Sequence, residues 1–465
     1  MKFLLIRTTN QIEETLKGLV FDILPEYPPL GLLYLGAVLE KEGHEVEIID
    51  YLVDNISDEQ LKNYLKSSDA VGMTVYTDNY DSNINIAKKI KNFEPEIPII
   101  LGGPHCSFHQ EKSLRDVSAA DYSVMGDGEE AIVDLVKYFE GKKNLSEING
   151  IFYRDKNQIK KGKPLKIIKD LDSLPFPARH LVEKYEYGKL NQLIAFKQKF
   201  TSMTTGRGCP YRCRFCPRYG NIIKEWGFRQ RSAENVVKEI LEINEKYGSV
   251  LIVDDNFLAN EKRAHKIMDM LIENKTKIEL MIEGARVDSA DRKLYKKMKK
   301  AHVKFLGYGI ETGNQDILDY YEKKVTLDQI KKAVSLGNEM GFITEGTFII
   351  GAPMETEAHI QNTIKFANSL PLDIAHYFVL NYKKGSRMWY EAVRDKKISE
   401  DEIVVPADSN RGLANFTYKE LINYTYYASQ RFYLRPKYIL SQLYRAFYRK
   451  NFRLITSGFR AITSM

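Results

Sequence analysis

Residues 206–217 read GRGCPYRCRFCP, and they gather three of the chain's four cysteines, Cys209, Cys213 and Cys216, into eight positions. The spacing is Cys-x3-Cys-x2-Cys, and thiolates are the ligands that iron–sulfur clusters take. Three thiolates around a four-iron cube leave one iron open, so the missing fourth ligand marks the place where a small molecule can react. A structural zinc site closes itself with four ligands. No further cysteine or histidine lies nearby, and Cys106 belongs to an earlier part of the chain. A redox relay is the other use of clustered thiols.

A strand–turn–helix alternation is what positions such a loop. SVLIVDDNF (249–257), IELMIEGARVD (278–288), VKFLGYGIETG (303–313) and FITEGTFIIGAP (342–353) each read as a strand followed by a turn. AENVVKEILEINEKYG (233–248) and TLDQIKKAVSLGNEMG (326–341) are helical stretches between them. The pattern predicts most of a (β/α)6 partial barrel, with its active site at the strand C-termini. Polar residues recur at those ends: Asp254, Asp255 and Asn256, then Glu283 and Arg286, then Glu311 and Thr312, then Glu355. Taken singly, each is an ordinary helix cap or loop charge.

The first 145 residues carry a second alternation. KFLLIR (2–7), EVEIID (45–50), AVGMTV (70–75), IPIILGG (97–103) and YSVMGDG (122–128) read as buried parallel strands separated by helices. This predicts an α/β, doubly wound, Rossmann-like (flavodoxin-like) sheet, which binds ligands beyond the carboxyl ends of its strands. Candidate contacts there are Pro29, Leu30 and Gly31, which open the first helix, with Tyr76, Gly102, Gly103, Gly126 and Gly128 at the following turns. Free N–H groups at a helix start suit phosphate or amide oxygens, and glycine lets a bulky ligand approach the backbone.

The cysteine loop resembles the signature of the radical S-adenosylmethionine (SAM) superfamily, and PPLGLLYLGAVLEKEGHEVEIID resembles the cobalamin-binding domain at the front of many of its members. The resemblance implies a [4Fe–4S] cluster on Cys209, Cys213 and Cys216, with SAM on the open iron and cobalamin on the first domain. Phe215 matches the position near the SAM adenine, Arg286 the one near its carboxylate, and Glu311 with Thr312 the ribose contact. Asp254 of DDNF stands where relatives touch the amino group; their Gly-Gly-Glu motif is not present as such. GAPMET matches the family's Gly-x-Pro-x-Glu-Thr turn. None of the eight histidines sits in Asp-x-His-x-x-Gly, so no such histidine lies under cobalt.

The implied chemistry is reductive cleavage of SAM to a 5′-deoxyadenosyl radical that attacks an unactivated carbon, with C-methylation through methylcobalamin as the leading reading. Non-methylating cyclisation, rearrangement, coupling or oxidation in the same framework is the alternative. An RNA-modifying radical SAM enzyme and a non-catalytic cobalamin sensor are the rivals from other classes. Flavodoxin or ferredoxin is the expected reductant, under anaerobic conditions.

Composition bounds the rest. Charged residues are 28% and hydrophobic residues 43%, as in soluble globular proteins. No apolar run approaches a membrane span, and the N-terminus turns polar after six residues, so the expected place is the cytoplasm, where disulfides are rare. The formal charge of +7 is concentrated in the tail: residues 431–465 hold eight Lys or Arg and no Asp or Glu. The expected layout is a cobalamin-binding domain (1–145), a linker (146–195), a radical SAM barrel (196–385) and a basic, aromatic, helical segment (386–465). That segment reads either as a domain-capping helix pair or as a peripheral contact with the inner membrane face and a lipid substrate. No nucleic-acid partner is expected.

Overall fold

The computed structural model describes residues 1–9, 27–156, 158–188, 199–217 and 226–448. They divide into two compact units, one built on residues 27–187 and the first strand, the other on residues 227–448 and the cysteine segment.

The first unit is a seven-stranded sheet of β1 (Lys2–Arg7), β2 (Glu45–Asp50), β3 (Ala70–Thr74), β4 (Ile99–Gly102), β5 (Tyr122–Val124), β6 (Ile151–Asp155) and β7 (Gln158–Lys161), in the order β2-β1-β3-β4-β5-β6-β7. The first five strands are parallel. Their order is the flavodoxin-like one, with its switch point between β1 and β3. Helices α1 (Leu30–Lys41), α2 (Asp58–Lys66), α3 (Tyr80–Phe93), α4 (Pro104–His109), α5 (Glu111–Asp116) and α6 (Glu129–Phe139) connect them. Alternation splits the core in two. Leu4, Ile6, Val71 and Met73 pack with Leu61 and Ile90 of α2 and α3. Phe3, Leu5 and Ile48 pack with Leu33 of α1 and Leu135 of α6. Helices therefore cover both faces, which is why these strands are continuously apolar.

Residues 151–161, placed by the sequence in a segment between domains, form an antiparallel hairpin that extends this sheet beyond β5. Ile151, Phe152 and Tyr153 are buried there.

In the second unit six parallel strands run β15-β14-β13-β12-β11-β8: β8 (Phe200–Met203), β11 (Ser249–Ile252), β12 (Glu279–Ala285), β13 (Val303–Glu311), β14 (Ile343–Ile350) and β15 (Ile374–Val379). A two-residue ribbon, β9 (Gly206–Arg207) with β10 (Arg229–Gln230), follows β8. Around them lie α7 (Ala233–Lys246), α8 (Glu261–Glu273), α9 (Arg292–Lys300), α10 (Gln315–Tyr320), α11 (Leu327–Met340) and α12 (Glu357–Ser369). Ser232, Asn260, Asp291, Thr326 and Thr356 each accept a first-turn backbone N–H, starting α7, α8, α9, α11 and α12. The strand ends are thus fixed by local sequence. β8 and β15 complete the six strands of which the sequence showed four.

A partial barrel leaves edges, and here the C-terminal part covers one. β16 (Asn381–Lys383) pairs with β17 (Val404–Pro406) around α13 (Arg387–Arg394), and α14 (Tyr418–Tyr433) and α15 (Pro436–Tyr448) follow. The Tyr433 hydroxyl bonds both Ala375 N (3.1 Å) and Ala375 O (3.0 Å) on the free side of β15. Tyr438 donates to Asp373 O at 2.7 Å. These bonds blunt an edge that otherwise offers unpaired backbone to another chain.

Candidate active site

The cysteine loop leaves the β9 strand through Gly208, whose φ of +83° is the left-handed region. It is tied to the rest of its unit by backbone. Arg214 N donates to Tyr321 O (2.9 Å), and Met388 N donates to Arg214 O (3.1 Å). The Arg214 guanidinium stacks on Tyr320, 4.2 Å from the ring centre, and pairs with Glu391. Phe215 meets Tyr321 edge-on at 5.0 Å.

None of the three cysteines is in a disulfide. Their sulfurs do not fall within 4.8 Å of one another, so they are not gathered around a single ion. A cube, with its irons at separate corners, spreads its thiolates wider than one zinc does. Burial raises the Cys209 thiol and pushes Cys216 up to about 12. Ionised sulfur at such a position needs a cationic centre to bind. The donor set fits an iron–sulfur cluster. Cys106, fully buried in the first unit, has its thiol pushed up to about 11 by burial and is a packing residue.

Two strand ends converge on this loop. Arg286, just after β12, puts Nη1 3.9 Å from the Cys213 sulfur and its guanidinium carbon 3.6 Å from the Tyr211 ring centre. Asp288 (3.0 and 2.9 Å) and the Lys323 carbonyl (2.7 Å) orient it. Glu311, the last residue of β13, pairs with Lys323 in a buried ion pair and holds a left-handed φ of +70°. Lys323 was not picked out by the sequence.

Asp254, expected at the SAM amino group, turns the other way. Its carboxylate accepts from Thr205 N (2.6 Å), Thr204 Oγ1 (3.0 Å), Gly206 N (3.3 Å) and the Thr205 hydroxyl. It is a positioning residue for the start of the cysteine loop. Its neighbour Asp255 is the exposed one, and its carboxyl is raised by burial of its surroundings and by Asp254. Gly284 lets β12 come this close: a Cβ there would lie 2.5 Å from the Asp254 carbonyl. Thr312 also departs from expectation. Its hydroxyl is fully buried, 3.0 Å from Thr363 Oγ1, and accepts from Asn314 Nδ2 at 3.1 Å. Glu355 accepts from the Gly351 and Ala352 amides, yet burial pushes it up to about 7.

In the first unit the candidate contacts share the carboxyl edge of the sheet. Arg7, ending β1, pairs with buried Asp50, ending β2, and donates to Tyr27 O at 2.9 Å. Tyr187 also donates to Asp50, at 2.7 Å. This anchors the turn before Pro29, which starts α1 with no side-chain cap, so the first-turn amides are left for a ligand. Tyr76 is 44% exposed beyond β3, its amide held by Asn79 at 2.8 Å. Gly103 (φ +106°) and Gly126 (φ +70°) make left-handed turns, and Gly128 starts α6. At Gly31 and Gly102 an added Cβ would meet nothing within 4 Å. A cradle at a switch point, with open space at Gly31 and Gly102, fits a large cofactor such as cobalamin.

Residues 203–367 match the family model of the Radical SAM superfamily and residues 16–136 that of the B12 binding domain. The chain is 30% identical over 423 residues to the uncharacterized methyltransferase PH0819 of Pyrococcus horikoshii, spanning 90% of each chain. It is 25% identical over 445 residues to the cytidylyl-2-hydroxyethylphosphonate methyltransferase of Streptomyces wedmorensis, spanning 83% of this chain and 82% of that one. Its fold is similar to that of the cobalamin-dependent SAM radical enzyme OxsB with aqua-cobalamin and SAM bound: the TM-score is 0.71 at 20% identity, over 98% of this chain and 72% of that one. Three thiols on a barrel loop, an arginine beside them and a flavodoxin-like unit ahead of them are thus explained together: the chain belongs to the cobalamin-binding radical SAM enzymes, which work with a [4Fe–4S] cluster, SAM and cobalamin.

Proposed function

We propose that the enzyme transfers a methyl group to an unactivated carbon of its substrate. The observation that carries this reading is the likeness to a methyltransferase along nine-tenths of both chains. Cluster, SAM and cobalamin supply a carbon radical and a transferable methyl group; the protein supplies position and exclusion of water. Cys209, Cys213 and Cys216 hold the cluster and leave one iron for SAM. Arg286, fixed by Asp288 and the Lys323 carbonyl, offers its charge to the SAM carboxylate. Asp255 takes the amino group in place of Asp254. Phe215 packs at the adenine, and Glu311, steadied by Lys323, faces the ribose. Pro29, Leu30, Gly31, Tyr76, Gly102, Gly103, Gly126 and Gly128 line the cobalamin edge. The test is anaerobic turnover with methyl-deuterated SAM. Label in the product supports methyl transfer, and unlabelled product with consumed SAM overturns it.

The C-terminal segment supports a peripheral membrane contact. Eight basic and no acidic residues lie in 431–465, and Leu434, Ile439, Leu440 and Leu443 are exposed. Among the described residues no helix is long and apolar enough to cross a membrane. Sedimentation with phosphatidylglycerol vesicles, and not with phosphatidylcholine, is the expected result; indifference to both leaves α14 and α15 as edge covers alone. A low-potential flavodoxin or ferredoxin is the matching electron donor.

A further inference from the structure

Three ionisable side chains in the second unit are used by nothing described so far. Along its strands alternate residues go to opposite faces. Ile282, Tyr308, Phe348 and Tyr377 pack into the helix-side core. Glu283 of β12, Glu345 of β14 and His376 of β15 therefore share the concave face. On β13, between the two acids, stands Gly307, directly paired with Glu345. A Cβ at Gly307 would lie 3.9 Å from Glu283 Cγ, so the glycine keeps a gap between the carboxyls.

The trio has no internal solution. Among the described residues neither carboxyl has a hydrogen-bond partner, and no Lys or Arg reaches either one. His376 is 4% exposed, and its Nε2 stands 3.6 Å from Glu345 Oε1, beyond hydrogen-bond length. Burial and the facing Glu345 push Glu283 up to about 7, burial does the same for Glu345, and it lowers His376 to about 4. Half-buried acids without partners are costly, and sites built for a ligand are where such costs persist. The donor atoms do not converge tightly enough for a metal ion.

We infer that Glu283, Glu345 and His376 form the subsite for a protonated amine of the substrate. Near neutral pH two facing carboxyls share about one proton and carry about one negative charge. An ammonium group balances that one charge and donates an N–H to each carboxyl, while the remaining proton stays on one of the pair. A hydroxyl leaves the charge unbalanced, and a carboxylate or phosphate is repelled. The inference rests on the enzyme reading above only in calling the ligand a substrate.

The test uses the full-length, cluster-loaded protein under anaerobic conditions and follows thermal unfolding with n-butylammonium, n-butanol and n-butyrate at matched ionic strength. About 0.1 M butylammonium is expected to raise Tm by about 1–3 °C, with no rise from the alcohol or the acid. The rise disappears in Glu283→Gln/Glu345→Gln. It shrinks in Gly307→Ala, whose new methyl sits at ordinary contact distance and narrows the gap, so this variant decides if the double one does not fold. An equal response to butanol or butyrate, or a full response in both variants, overturns the assignment. Either failure leaves the cluster spectrum and deuterium transfer of the wild-type enzyme untouched, so the two readings fail separately.

Discussion

Asp254→Asn keeps the shape of a buried side chain and removes its charge. Four donors converge on that carboxylate: the amides of Thr205 and Gly206 and the hydroxyls of Thr204 and Thr205. A hydrogen bond to a charged group contributes about 1.5–3 kcal/mol, and a neutral one about 0.5–1.5 kcal/mol. Asparagine keeps one oxygen for the amides, and the Thr205 hydroxyl can turn from donor to acceptor. The expected loss is then about 1–3 kcal/mol. Asp254→Ala orphans two buried amides at about 1–3 kcal/mol each, so it costs about 2–6 kcal/mol, a large part of a typical stability. Denaturant unfolding reads this directly, and iron per chain reads its consequence for the cysteine loop. Iron content should fall in step with stability, while the fraction that keeps its cluster binds SAM as the wild type does. Unchanged stability with SAM affinity weaker by about tenfold, or about 1.4 kcal/mol, would refute the reasoning and return Asp254 to SAM itself.

The raised carboxyls give a pH signature. Glu283 and Glu345 hold their protons in the native state up to about 7, whereas an unfolded glutamate releases them near its ordinary value of about 4.5. The native state binds more protons across that window, so this contribution to stability falls as pH rises from about 4.5 to about 7 and is level above it. His376, lowered to about 4, works oppositely between about 4 and about 6.5; Tyr433, which also faces Glu345, stays neutral throughout. In the difference between Glu345→Gln and wild type the histidine largely cancels, and the variant should gain about 2–3 kcal/mol on going from pH 4.5 to 8. A flat difference curve contradicts the burial argument. Tyr433→Phe removes both hydrogen bonds to Ala375 at the β15 edge and should cost about 1–3 kcal/mol with increased aggregation, checked by unfolding and light scattering. Retained stability and solubility would show the edge is protected otherwise.

The sequence made the architecture legible where one residue type fills a whole element. Continuous apolar strands announced the parallel sheets, and the three cysteines announced the cluster because their spacing is local. What depended on direction was hidden. Asp254 and Asp255 are adjacent, and only the turn after β11 decides that one holds Thr205 while the other is exposed. Thr312 looked like a contact because it follows Glu311; its hydroxyl is consumed by Thr363, far along the chain. Lys323 meets Glu311 only through the turn after α10. Glu283, Glu345 and His376 lie on three strands and meet only once the strand order is known. A signal for them was present, since an acid within LMIEGA or FITEGTF breaks the apolar run of a buried parallel strand.

Mössbauer spectra of the 57Fe-reconstituted protein, taken without oxygen before and after addition of SAM, test the three-thiolate site most directly. The prediction is a four-iron cluster in which SAM changes the signal of one iron and leaves the other three, with Cys213→Ala losing both the cluster and SAM cleavage. A cluster whose irons all ignore SAM, or bound zinc in its place, would contradict it.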